Sequence, residues 1–383
     1  MLNEVDLENY LFKYSKRHGE FVQGVGEIIA TKIKHVSGIK SANTPFTLLE
    51  TFKKEQDLNK IRNLQVQMVT TQVAELGRDL SQVSYIVFAD SRGNIGEDVY
   101  IMPKDVKIEI EKEKLALLAL INKPVFLMNN RKYTPTDIYN VLVNEVYMTH
   151  DMSGIKSVRN ALNRFVNARS MFEYKDTDNN ENRLTSAINS LRMSVLSSIK
   201  NIIEKTTNFI AKQFKYDGVE LSAHIHPAPD HAPVQGKQFS NEEFEKMQSG
   251  ASCTDVKGNV YEGFQRPIMA WNCRHYVKPI KIGKNKPEHS DYELNKILEE
   301  NEKGYTTSDG KHYTLYECTQ IQRGYERKIR EYKERSILAK ICKDKTKENE
   351  YKGKVQDYTR QYKTFSNACG LPVMSERIRI DGY

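Results

Sequence analysis

The chain has 383 residues, 39% hydrophobic and 28% charged, which is enough for two or three domains with a buried core and too apolar for wholesale disorder. With 58 Lys+Arg against 50 Asp+Glu its net charge is +8, a mild excess that alone points only weakly to nucleic acid or an acidic partner. The longest apolar run, Leu115–Ile121, falls well short of the ~18 residues of a membrane span. No leader is visible at the N-terminus, and five cysteines without a CxxC pair exclude a disulfide framework and suit a reducing compartment.

In chain order, Leu2–Tyr14 and Phe21–Val36 carry apolar residues at helical spacing and predict two helices. Ser37–Pro45 is a breaker segment, in which Thr44-Pro45 supplies an N-cap and a first helical proline for a helix through Phe52. Leu58–Leu80 predicts a long helix and Asp90–Gly96 a turn. Lys104–Ile121 and Tyr133–Tyr147 predict further helices, the second opened by Thr134-Pro135-Thr136-Asp137. Lys175–Asn182 is the most loop-like segment. Leu184–Phe214 then carries one apolar stripe, Leu184, Ile188, Leu191, Val195, Ile199, Ile202, Thr206 and Ile210, as in a helical bundle.

At Tyr216-Asp217-Gly218 the character changes, and the next stretch is rich in His, Pro and Gly. Val219–Ala223 reads as a strand, and helices are expected at Asp291–Asn301, Leu315–Lys343 and Tyr358–Cys369, the last stopped by Gly370. The fold class expected is α+β. A mostly helical region, 1–216, precedes a smaller α+β domain, 217–383, with a His/Cys-rich knot and a long amphipathic helix.

Nucleotide and nucleophile motifs are missing: neither Gly24-Val25-Gly26 nor Gly93–Gly96 continues into a phosphate-binding loop, and neither GxSxG nor HExxH occurs. The chemistry-bearing stretch is Ser222–Lys237, with His224, His226 and His231, followed some forty residues later by Trp271-Asn272-Cys273-Arg274-His275. Imidazole and thiolate are the ligands zinc prefers, so His224, His231, Cys273 and His275 form a candidate four-ligand site. The alternative is a polar knot in which these groups hydrogen-bond one another. A hydrolytic metal would need a base, for which Asp217, Glu220 and Asp230 are the local acids. Direct pairing of Cys273 with His275 as a Cys–His nucleophile is not expected.

The segment His312–Lys343 interleaves Arg323, Arg327, Arg330, Lys333 and Arg335 with Glu326, Glu331 and Glu334. It reads either as a solvated helix with i,i+4 pairs or as a basic, tyrosine-bearing face for nucleic acid. Residues 311–383 hold 17 Lys+Arg and 10 Asp+Glu, a net +7, so nearly all the surplus charge lies in this last segment.

Four stretches in fixed order then resemble the phage minor capsid protein 2 family of minor head proteins: Ser222–Lys237 (SAHIHPAPDHAPVQGK), Asn272–His275 (NCRH), Tyr313–Arg330 and Tyr362–Arg377. The resemblance runs over roughly residues 216–380 and departs from the family pattern at His226-Pro227-Ala228-Pro229, where an arginine is replaced by Ala228, and at Val234, where an aromatic is usual. The first half shows no motif that aligns. The resemblance implies a non-enzymatic virion component made in the host cytoplasm and placed in the head near the portal. Its partners would be portal and capsid proteins and packaged DNA, and its role head assembly or DNA packaging and ejection. In this reading Ser222, Gln235, Gly236 and Asn272 organise the knot with the candidate zinc ligands, and Gly236 supplies a φ > 0 turn. Tyr313, Tyr316, Glu317, Gln320, Arg323, Glu326 and Arg330 are the motif positions of the helix. The rival expectations are a metal-dependent hydrolase or nuclease acting during infection, and a DNA-binding ejection factor.

Overall fold

The computed structural model describes residues 4–37, 48–91, 100–153, 155–175, 182–263, 267–268, 273 and 275–383. The expected breaker at 38–45, turn residues 92–96, loop 176–181 and Asn272 lie outside them.

The first half is helical, as expected, with one sheet that the sequence reading did not foresee. Helices α1 (Glu4–Ser37), α2 (Leu48–Ser91) and α3 (Lys104–Ile121) are followed by strands β1 (Pro124–Met128) and β2 (Arg131–Tyr133). Next come α4 (Pro135–Ser153), α5 (Ile155–Val166), β3 (Arg169–Lys175), β4 (Asn182–Ser186) and α6 (Ala187–Gln213). The two helices expected within residues 2–36 are one: helical spacing continues through Gly19, and Phe21, Val25, Ile29 and Ile33 form its buried face. Gly24 and Gly26 serve helix packing, since a Cβ on Gly26 would meet Phe165 and Leu338 at 3.1 and 3.3 Å.

The four strands form an antiparallel sheet in the order β2-β1-β3-β4. Asn129 and Asn130, at φ 49° and 60°, turn the β1–β2 hairpin, in which two successive positive φ values match the twist of the strands. Leu184, expected at the head of the helical stripe, is in β4 and pairs with Glu173; α6 begins three residues later. The rest of the stripe is buried as expected, from Ile188 to Ile210.

Beyond residue 216 a small module holds β5 (Gly218–Leu221), β6 (Gln238–Ser240), α7 (Asn241–Gln248), β7 (Cys253–Thr254), β8 (Val260–Tyr261) and β9 (Val277–Ile280). Its three-stranded sheet has the order β6-β5-β9, and Val219, Leu221, Val234, Phe239, Met247, Cys253, Ile268 and Val277 make a core of its own. Helix α8 (Asp291–Lys303), the β10 (Tyr305–Thr306) and β11 (His312–Tyr313) ribbon, α9 (Leu315–Ile341), α10 (Lys345–Ala368) and a 3-10 turn (Ser375–Ile378) complete the chain.

Helix α10 is longer than the Tyr358–Cys369 segment expected. Its start carries too few apolar residues to show a stripe, and it is held instead by an Asp344 N-cap and Tyr351. Helices α9 and α10 pack on each other, and Leu338, Ala339, Cys342 and Tyr351 enter the same core as α1 to α6. The packing thus runs across residue 216, where the sequence changes character. Among the described residues no helix is long and apolar enough to cross a membrane.

Candidate metal centre and the polar face of the long helix

The segment between β5 and β6 is short of regular structure but tightly turned. Ala228 O accepts from His231 N at 3.0 Å and Ala232 N at 2.9 Å, and His231 O accepts from Val234 N and Gln235 N. This single turn drives His231 into the module with no exposed surface. Residues 273 and 275 precede β9 in irregular backbone, anchored where Ser222 N donates to Tyr276 O at 3.0 Å and Ser222 Oγ accepts from Tyr276 N at 3.1 Å.

His231, Cys273 and His275 meet there, all buried, with one ligand atom of each within 4.8 Å of the others. Cys273 Sγ lies 3.5 Å from His231 Nδ1 and 3.4 Å from His275 Nδ1. Contact between Cys273 and His275 corrects the expectation against direct pairing. Positions two apart on an extended strand share a face, so their spacing never set the two side chains apart; here they converge in irregular backbone just before β9, which begins at Val277. A tetrahedral zinc, with bonds of about 2.3 Å to sulfur and 2.0–2.1 Å to nitrogen, sets these atoms about 3.5 Å apart, so the three residues fit the ion. The same distances suit a thiol hydrogen-bonded to two imidazoles. His224, the fourth expected ligand, is half-buried with its ring against His275, centroids 4.4 Å apart, and lies outside the three-residue group.

The neighbouring motif residues build the frame. Gln235 Oε1 accepts from His224 N at 2.8 Å, while its buried Nε2 has no hydrogen-bond partner among the described residues. Gly236 has φ 68°, and a Cβ there would come within 2.5 Å of Leu294 Cδ2. Glu220, considered as a hydrolytic base, is buried and engaged: it accepts from Gln238 Nε2 and Glu288 N, both at 2.7 Å. Asp230 lies beside the knot, with Oδ2 3.5 Å from His231 Nε2.

The basic residues expected to share a nucleic-acid face on α9 do not point one way. Arg330 is 7% exposed; it donates to the Arg377 carbonyl and to Asn189 Oδ1 at 3.1 Å. Burial and the nearby Arg192 lower its pKa to about 10, still well above neutrality. Lys333 donates to Ile378 O at 3.0 Å and is lowered by burial, and Arg335 pairs with Glu331 at 2.7 Å. Glu334, on the same helix, is raised to about 7 by burial. Arg327 is exposed and Arg323 half-buried. Of the tyrosines, Tyr351 and Tyr362 are buried and Tyr332 stacks on Tyr358, so these four build the α9–α10 contact.

The other motif positions have structural partners. Thr314 and Glu317 form a capping box that starts α9, Tyr316 N donates to Asn301 Oδ1, and Tyr313 lies in β11. Glu326, 3% exposed, accepts from the Tyr362 hydroxyl at 3.3 Å and lies 3.6 Å from Arg377 Nη1. Sequence reasoning missed Glu8 and Arg192 of the first half, which join this polar face: Glu8 pairs with Arg192 and lies 3.4 Å from Arg377 Nε. Nothing local in the sequence marks either residue. Arg377 was visible as the last position of the C-terminal motif.

A helical body carrying a small α+β module with a His/Cys knot is the class of protein defined so far. The family model for Phage minor capsid protein 2 matches residues 53–367. The chain belongs to that family. The match reaches deep into the first half, which holds no aligning motif, and so extends the resemblance N-terminal of residue 216. No curated protein and no solved structure matches.

Proposed function

We propose that this protein, a structural component of the phage virion by its family, acts near the portal, in head assembly or in DNA packaging and ejection, without catalysis, and that its knot is a structural zinc site. The observation that carries the head role is the family match over residues 53–367. Cross-links between this chain and the portal in purified virions test the position.

The knot supports a structural role on chemical grounds. His231, Cys273 and His275 are all nearly without solvent contact, whereas a catalytic metal keeps one coordination position open to water and substrate. These three would hold the ion, and a turn of the His224 side chain, already against His275, would supply a fourth ligand. Bound zinc would staple the Ser222–Lys237 segment to the chain entering β9.

Elemental analysis of purified protein is expected to give about one zinc per chain, with chelator lowering the melting temperature and Cys273→Ser losing the metal. Metal-free protein whose stability is unchanged by chelator would leave a hydrogen-bonded knot. A nuclease and cell-wall hydrolysis screen should show no activity. Turnover by the wild type that His231→Ala abolishes would establish the enzyme instead.

A further inference from the structure

Helix α3 packs against α2 and α6 and buries Val106, Ile110, Leu117 and Ile121 in the common core. The same side carries Glu109 and Glu113, both buried, and Glu113 accepts from Ser198 Oγ and Asn201 Nδ2 at 2.7 Å. The opposite side is apolar where solvent would favour charge. Ile108 is 56% exposed and Leu115 65%, and Ala119 continues the line one turn on. Ile101, 78% exposed, stands just before the helix. Among the described residues, three of the five large hydrophobic side chains exposed in the first half thus fall within Ile101–Leu115. Exposed aliphatics scattered singly need no explanation, but a concentration of them marks a contact surface.

The charges on this face say what covers it. Ile108 and Leu115 are seven residues apart and therefore align along the helix, two turns from each other. Between them stand Glu111 and Lys112, with side chains 65% and 70% exposed. Their present partners, Lys114 for Glu111 at 2.9 Å and Glu109 for Lys112 at 3.0 Å, lie on the same helix, and exposed pairs of this kind contribute little. A two-fold axis crossing the helix between residues 111 and 112 makes the face complementary to itself. An antiparallel second copy then sets Ile108 against Leu115 of the second copy, and Glu111 against Lys112 of the second copy, twice each. An axis moved to Ile108 would instead oppose Lys104 to Lys112, and one moved to Leu115 would oppose Glu111 to Ala119. Only the axis between residues 111 and 112 matches both the apolar and the charged positions.

We propose that α3 is the contact between two copies of this chain, packed antiparallel about a two-fold axis between Glu111 and Lys112. Because the same patch serves both sides, the contact closes at a dimer and does not propagate. A single helix from each copy makes a small interface, so the dimer forms reversibly and its population follows concentration.

Sedimentation velocity of the full chain over about 1–100 μM, a range suited to a small interface, tests this. The expected result is a shift from monomer to dimer as concentration rises. Leu115→Glu places a charge in the seam and should hold the chain monomeric, with the melting temperature unchanged because this side chain is exposed. Glu111→Lys and Lys112→Glu each set like charges across the axis twice, and each should weaken association about tenfold. An equimolar mixture of these two variants should dimerise again, because every contact across the axis then joins opposite charges. A wild-type chain that is monomeric throughout overturns the proposal, and so does a dimer that Leu115→Glu leaves intact. A mixture that associates no better than either variant alone overturns the antiparallel register and the proposal with it. If the wild type is monomeric yet Leu115→Glu is lost from purified particles, the face belongs to another head protein and not to a second copy.

Discussion

His18 has no exposed surface and stands between the rings of Phe21 and Phe172, with centroids 6.0 and 5.1 Å away. Its Nε2 is 2.8 Å from Ser170 Oγ, and burial lowers its pKa to about 3. An unfolded histidine titrates near 6.5, so between about pH 6.5 and 3 the unfolded chain binds more protons than the folded one. Stability is therefore full above this window and falls as pH drops through it, by up to about 1.4 kcal/mol per pH unit from this residue. His18→Gln should flatten the decline between pH 7 and 4 in urea titrations. An identical slope in wild type and variant would show that His18 charges without cost.

The same scale shows why the knot was only partly legible. Residue types named the ligand chemistry, and the segments they sit on do meet. Which imidazole turns inward is decided by the helical turn at Ala228–Gln235 and by the Ser222–Tyr276 bonds, and neither has a pattern in the sequence.

Elements with a sustained apolar period were legible: α3 runs over Lys104–Ile121 as read from the sequence, and the stripe of α6 is buried from Ile188 onward. The sheet of the first half was not, because PVFLM is a short apolar run that does not separate strand from buried helix. The Asn129-Asn130 pair was its one local signal, a dipeptide suited to two positive φ values. Helix α9 shows what a motif residue can do without chemistry. Thr314 Oγ1 accepts from Glu317 N at 3.2 Å, and the Glu317 carboxylate accepts from Thr314 N at 2.9 Å, closing two unsatisfied donors at the helix start. Thr314→Ala should cost about 1 kcal/mol, read as an earlier denaturation midpoint, with zinc content unchanged. Loss of zinc in this variant would mean that α9 and the knot form one unit.

For the whole molecule, the charge asymmetry read from the sequence acquires a different meaning. The last 73 residues do carry nearly all the net positive charge, yet much of it is turned to structural use. Arg330, Lys333 and Arg377 are bonded into the body, and Lys345, Lys352 and Arg360 pair with acids on α10. What composition could not reveal was that Glu8 and Arg192 would meet this segment across the fold, since contacts between residues so far apart leave no local pattern. The family match over residues 53–367 agrees with a protein whose halves share one core.

Placement near the portal is proposed for this structural protein of the virion. Cross-linking mass spectrometry of purified, DNA-filled virions tests it most directly. The account predicts a few copies per particle, cross-linked to the portal through lysines of the first half. Absence from purified particles, despite presence in the infected-cell lysate, would contradict it.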